Sequence, residues 1–224
     1  MSPIKTIVSW SSGKDSTLTL LRLLRDPCYD VVGLYTSYVA DEVPFQATPI
    51  EVVRAQAALS GLPLVEIVLP EVFPPNAVYQ SLIVEGLRNC GLSIDAVAFG
   101  DMFCNGIADY RCSYIEPAGW QCVFPLMGEP SAQLAREIVD CGIKTLVATV
   151  DTSQLSGEHC GQWYSHAFIA SLPENVDPCG EGGEFHTLVV EAPCFNGRLN
   201  IKVLAIERQA RFHYQRYQLQ EPQQ

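Results

Sequence analysis

The stretch IKTIVSWSSGKDSTLTLLRLL, residues 4–24, decides the fold class. It begins as an apolar, β-rich run ending at Trp10. Leucines at 18, 20, 21, 23 and 24 then predict a helix with a broad apolar face. Between the two stand Ser11, Ser12, Gly13, Lys14, Asp15 and Ser16. A strand that turns directly into a helix leaves the first helical N–H groups unpaired at the positive end of the dipole, which makes an anion site. Three hydroxyls and a lysine strengthen it, and Gly13 lets a ligand approach the backbone closely. The loop is not a Walker A motif, because Val8 takes its first glycine position and Asp15 follows the lysine; the dinucleotide pattern G-x-G-x-x-G is absent as well.

The alternation continues outward. Strands are predicted at 29–38, 62–69 and 93–101, with helices at 48–62, closed by Gly61, and 76–89, stopped by Gly91. This is the pattern of a Rossmann-like α/β fold, a parallel sheet with helices on both faces. Further along, WQCVFPL reads as a strand, EPSAQLAREIVDCG as a helix and IKTLVATVD as a strand. Residues 151–183 form a long irregular stretch of the kind that carries function in compact domains. HTLVVEAP and GRLNIKVLAIERQ read as antiparallel closing strands, and the tail from His213 as frayed. The expected division is a sheet domain over 1–125 and a smaller mixed α/β domain over 126–224.

Composition narrows the class. The 224 residues are 48% hydrophobic and 17% charged, a globular balance. No apolar run reaches the ~18 residues of a membrane span, and the N-terminus lacks the features of a secretory signal. A cytoplasmic protein with no membrane partner is expected. Asp and Glu number 25 against 14 Lys and Arg, a net charge of −11 that disfavours bulk nucleic-acid binding. The nine cysteines include no C-x-x-C pair, so buried reduced thiols are expected rather than a zinc or redox motif.

The loop S-S-G-K-D-S resembles the PP-loop, S-G-G-K-D-S, of the N-type ATP pyrophosphatases, with Ser12 at the family's first glycine. PCGEGGEFHT, residues 178–187, resembles the G-E-G-G-E-[YF]-x-T motif of the diphthine–ammonia ligase family, and AFGDMFCNGIADYR, residues 98–111, resembles its F-G-D segment with a downstream arginine. The three blocks stand in family order, and their wording is similar to a single-domain bacterial-type branch. The resemblance implies ATP and Mg²⁺ as cofactors and two steps: adenylation of a substrate carboxylate with loss of pyrophosphate, then amidation by ammonia. The carboxylate is a small molecule or protein-borne.

By the same resemblance Ser11, Ser12, Gly13, Lys14, Asp15 and Ser16 hold pyrophosphate, with Lys14 presenting its charge to it and Asp15 in the metal shell. Gly100, Asp101 and Arg111 face nucleotide or substrate. Glu181 and Glu184 serve the substrate or ammonia side, although on turn chemistry alone they would be a solvated turn. His186 is either an acid–base group or a packed side chain. Asn76 and Tyr79 either face the cleft or cap and pack a helix, and His159 with Cys160 forms neither a metal set nor a nucleophile–base pair. Two other readings compete: a PP-loop sulfur transferase acting on tRNA, which wants clustered cysteines and basic surface, and a nucleotide-binding sensor without turnover.

Overall fold

The computed structural model describes residues 2–44, 46–103 and 106–220. The first half runs β1 (Ile4–Ser9), α1 (Lys14–Arg25), β2 (Tyr29–Tyr38), β3 (Glu42–Val43), β4 (Thr48–Pro49), α2 (Ile50–Ser60), β5 (Leu64–Val68) and α3 (Asn76–Asn89). It continues through β6 (Ala96–Ala98), α4 (Ile107–Ile115), a 3₁₀ turn (Glu116–Ala118) and β7 (Gln121–Val123). The second half holds α5 (Ser131–Asp140), β8 (Lys144–Asp151), β9 (Trp163–Tyr164), α6 (His166–Ser171), β10 (Phe185–Glu191), β11 (Ile201–Arg208) and β12 (Phe212–Leu219).

Five strands form a parallel sheet in the order β5-β2-β1-β6-β7. Ile7 and Val8 are neighbours on β1 and both are fully buried, because helices cover both faces of the sheet. Val8 packs in a cluster with Leu18 and Leu21 of α1 and Val53 and Ala57 of α2. Ile7 packs in another with Ile83 and Leu87 of α3 and Tyr114 and Ile115 of α4. The chain winds outward from β1 through β2 to β5, then crosses to β6 and β7. The order therefore reverses between β1 and β6, and their carboxyl ends open a crevice there. The S-S-G-K-D-S loop leaves one of those ends and Asp101 the other.

The second sheet is antiparallel, in the order β10-β8-β12-β11, with β9 also paired to β8. On one face Val147, Val150, Phe185 and Val189 belong to the same cluster as α1, joined by Leu134 and Ile138 of α5, and on the other Ala148, Leu188 and Val190 form a smaller cluster with Val52 of α2. Sandwiching α1 between two layers explains the burial of Leu18, Leu20, Leu21 and Leu23, each contributing about 1.5–3 kcal/mol, whereas Leu24 is half-exposed.

Three expectations are corrected. The tail is not frayed through residue 219: β12 lies between β8 and β11, and buried Gln215 donates its amide to the Leu204 carbonyl at 2.7 Å. Tertiary pairing overrides its polar composition. The two closing strands do run antiparallel, as expected, but they are not neighbours, because β8 and β12 lie between β10 and β11. The irregular stretch also contains α6, whose Ser165 side chain caps the Phe168 N–H at 3.2 Å; six residues are too few to display helical periodicity. Among the eight described cysteines only Cys160 and Cys179 are buried, against the expectation for all; Cys104 lies outside the described residues. No helix among the described residues is long and apolar enough to cross a membrane.

Candidate active site

The loop after β1 reaches α1 through an unusual backbone. Ser12 has φ +70°, a left-handed conformation rare for a residue with a Cβ. The turn directs the Ser12 carbonyl to the Val189 N–H of β10 at 3.0 Å and buries its hydroxyl without a partner among the described residues. A Cβ on Gly13 would sit 3.1 Å from Gln46 Nε2 and 3.3 Å from Thr187 Oγ1, so a larger residue would crowd the loop against β10. The Ser16 and Thr17 hydroxyls both donate to the Gly13 carbonyl, at 3.0 and 2.9 Å, and the Ser11 and Ser16 hydroxyls lie 3.2 Å apart.

Lys14 is only 2% exposed. Its ammonium bonds Asp15 Oδ2 at 2.8 Å and also donates to the Cys179 carbonyl, with the rings of Phe185 and Tyr164 5.6 and 5.9 Å away. Burial opposes its charge, but Asp15, Cys179 and Glu181 more than offset this and the Lys14 pKa is raised. The ammonium expected to present its charge to pyrophosphate already has anionic and carbonyl partners. Burial pushes the Asp15 carboxyl up, against the pull of Lys14. Its Oδ1 is buried with no hydrogen-bond partner among the described residues.

Facing this loop is the turn that leads into β10. Asp177 organises it, accepting the N–H groups of Cys179 at 2.8 Å and Glu181 at 3.3 Å on one carboxylate oxygen. Gly180 has φ +75° and its missing Cβ would stand 2.7 Å from the Phe185 carbonyl, so only glycine fits. The two glutamates part company here. Glu181 lines a cavity of about 160 Å³ together with Lys14, Asp15, Gln46 and His186. Burial, then Asp15, raises its pKa to about 7. Glu184 is buried at 6% exposure and accepts the Asp177 N–H at 3.0 Å, leaving Oε2 unpartnered. The Glu184 contact is with its own turn.

Gln46 and His186 also border a larger cleft of about 560 Å³ at the carboxyl ends of β1 and β2, lined by Ser11, Thr36, Asn76, Tyr79, Asp101 and Arg111 among others. Arg111 Nε donates to Asp101 Oδ2 at 3.1 Å, Nη1 to the hydroxyls of Tyr114 and Tyr79 at 3.3 and 3.4 Å, and the guanidinium lies 4.9 Å over Phe99. Burial disfavours its charge, yet Asp101 and the surrounding tyrosines hold its pKa above the ordinary value. Gly100 borders neither cavity; a Cβ there would lie 3.0 Å from the Asp15 carbonyl carbon, so its smallness brings the end of β6 against the loop. Burial, then Lys14, lowers the His186 pKa to about 4, which keeps the ring neutral at pH 7.

The residues present suit an anion and a divalent cation. Among the described residues Asp15 Oδ1 is a buried carboxylate oxygen without a hydrogen-bond partner, and carboxylate oxygens are what Mg²⁺ takes. The N-terminal end of α1 offers N–H donors suited to phosphate oxygens.

Residues 130–221 match the family model described as the diphthamide synthase C-terminal domain. The match covers about two fifths of the chain and shows that this part is similar to that domain. No curated protein matches the chain.

The matched span runs from the start of α5 through β12, so it supplies the wall of the site that holds Glu181, His186 and Thr187. Two residues that join this family domain to the S-S-G-K-D-S loop escaped the sequence reading. Thr187, the last letter of the G-E-G-G-E-F-H-T block, accepts the Lys14 backbone N–H at 3.2 Å. Gln56, fully buried on α2, accepts from Trp10 Nε1 at 3.0 Å and donates to the carbonyls of Val189 and Ser12 at 2.7 and 3.3 Å. A glutamine in an apolar helical pattern was the only signal available for it.

Proposed function

We propose that the chain catalyses ATP-dependent amide formation from a carboxylate and ammonia. The carboxylate oxygen attacks the α-phosphorus of ATP, the bond to the bridging oxygen breaks, and pyrophosphate leaves. Ammonia then attacks the acyl carbon of the adenylate, the C–O bond to AMP breaks, and the nitrogen loses a proton. The products are an amide, AMP and pyrophosphate. The observation that carries this reading is the meeting of the two motifs: the S-S-G-K-D-S loop and the G-E-G-G-E turn line one cavity, and it shares Gln46 and His186 with the cleft beyond the strands.

In this proposal the loop N–H groups and the hydroxyls of Ser11, Ser12 and Ser16 hold the β- and γ-phosphates, leaving the α-phosphorus toward the larger cleft. Asp15 would hold Mg²⁺ through Oδ1, and the ion would neutralise charge on the departing pyrophosphate. Lys14 acts as a positioning residue, fixing Oδ2 of Asp15 and the turn at Cys179. Glu181 faces the same cavity and is suited to receive ammonium and take up its proton. Arg111, held by Asp101 and two tyrosines, offers the positive wall for a small or protein-borne carboxylate.

Product analysis with α-labelled ATP, Mg²⁺, ammonium and a fractionated carboxylate pool tests the reading. AMP and pyrophosphate appearing together in an acceptor-dependent way are the expected result. ADP and phosphate would overturn it, and tight ATP binding without turnover against every fraction would move the protein to the sensor class.

A further inference from the structure

Away from the cleft, three metal-ligating side chains converge on the seam between α4 and β7. Cys112 and Glu116 stand four residues apart, on α4 and on the 3₁₀ turn that continues it, and Cys122 lies on the edge strand β7. Their ligand atoms all lie within 4.8 Å of one another. The two cysteines are half-buried and Glu116 is exposed. Helical spacing places 112 and 116 on one face, and the packing of α4 against β7 brings that face to Cys122.

The donor set selects the ion. Two thiolates and one carboxylate are poor ligands for Mg²⁺ or Ca²⁺, which take oxygen, and suit a thiophilic divalent cation. Zinc binds sulfur at about 2.3 Å, so two sulfurs on a tetrahedral zinc stand about 3.8 Å apart, a contraction of about 1 Å at most. Zinc binds thiolates, so it must displace the thiol protons to bind. Neither sulfur lines the cleft or the small cavity, which separates this cluster from the amide chemistry and from sulfur transfer in the cleft.

We propose that Cys112, Cys122 and Glu116 form a zinc site, with solvent as fourth ligand, that staples α4 to β7. Arg111, the residue before Cys112, reaches the cleft from the same helix, so the staple fixes the element that carries it.

The test uses the full chain, reduced and chelator-treated, with Co²⁺ as a spectroscopic probe. One equivalent should give a thiolate-to-cobalt charge-transfer band, and Zn²⁺ should abolish that band by displacement. Cys112→Ser and Cys122→Ser should lose it, Glu116→Gln should need more Co²⁺ to reach it, and Cys28→Ser should keep it. Zinc should raise the melting temperature of the wild type and not of Cys122→Ser. The absence of a thiolate band, its survival in the double cysteine variant, or its loss in Cys28→Ser would each overturn the site. If Cys122→Ser does not fold, Glu116→Gln decides alone, because an unchanged Co²⁺ affinity there removes the third ligand. A Cys112–Cys122 disulfide formed on oxidation, with no metal bound by the reduced chain, would also overturn the proposal.

Discussion

Lys14 and Thr187 stand 173 residues apart in sequence, yet the Lys14 backbone N–H donates to the Thr187 hydroxyl at 3.2 Å. One of the N–H groups that a helix start leaves unpaired is thereby satisfied from another sheet. The Lys14 side chain makes a second link to the turn before β10, through the Cys179 carbonyl. Loop and turn are therefore one structural unit, and disturbing either should move the other.

Thr187→Val keeps the shape but leaves the buried Lys14 N–H without an acceptor. We expect a loss of about 1–3 kcal/mol in urea unfolding, with Thr187→Ser close to wild type. Equal stability of the valine variant would show that the hydroxyl does not hold the helix start.

Lys14→Ala should destabilise as well as inactivate. Removing one partner of a buried ion pair leaves the Asp15 carboxylate uncompensated, at a cost of about 3 kcal/mol. Lys14→Met combined with Asp15→Asn should recover most of that stability and no pyrophosphate release. Thermal melts of the three proteins, compared with their AMP yield, check both halves; a Lys14→Ala variant as stable as wild type would mean that its burial contributes nothing.

Ser12→Gly should stabilise the fold. The residue sits at φ +70° with a buried, unpartnered hydroxyl, and glycine relieves both features. The expected gain is about 1 kcal/mol in chemical denaturation. A loss of stability would show that the serine makes a contact in solution that offsets its conformation.

Stability should depend on pH through His186. Its pKa is lowered from 6.5 to about 4, so the unfolded chain binds the proton first as pH falls. The contribution is complete above pH 6.5, declines between 6.5 and 4, and levels off below 4. Glu181 works in the opposite direction, since its pKa rises from 4.5 to about 7 and the folded state binds the proton more tightly across that interval. The clean observable is the difference between wild type and His186→Gln, which should shrink as pH falls through the 6.5 to 4 window. A constant difference would mean that the ring titrates normally in the fold.

Much of the parallel half was legible in the sequence for a local reason. β1, the S-S-G-K-D-S loop and α1 are contiguous, and their apolar periods switch from strand to helix within a few residues. The winding of the first sheet then follows from alternating elements with few topological choices. The family blocks were legible for the same reason, each being a short unbroken run. β12 was not, because its placement depends on pairing with β8 and β11 rather than on its own polar composition.

Within the site, sequence alone determined which groups are present: the anion-binding helix start, the acidic pair Glu181 and Glu184, and the arginine after β6. Tertiary structure decided what each group faces. It enclosed Lys14, buried one oxygen of Asp15 with no partner among the described residues, turned Glu184 into its own backbone and left Glu181 in the cavity. It also recruited Gln56 and Thr187, and gathered Cys112, Glu116 and Cys122. The physical reason is range. Propensity and spacing act over one or two turns of chain, whereas burial, hydrogen-bond partners and pKa depend on residues that only packing brings together.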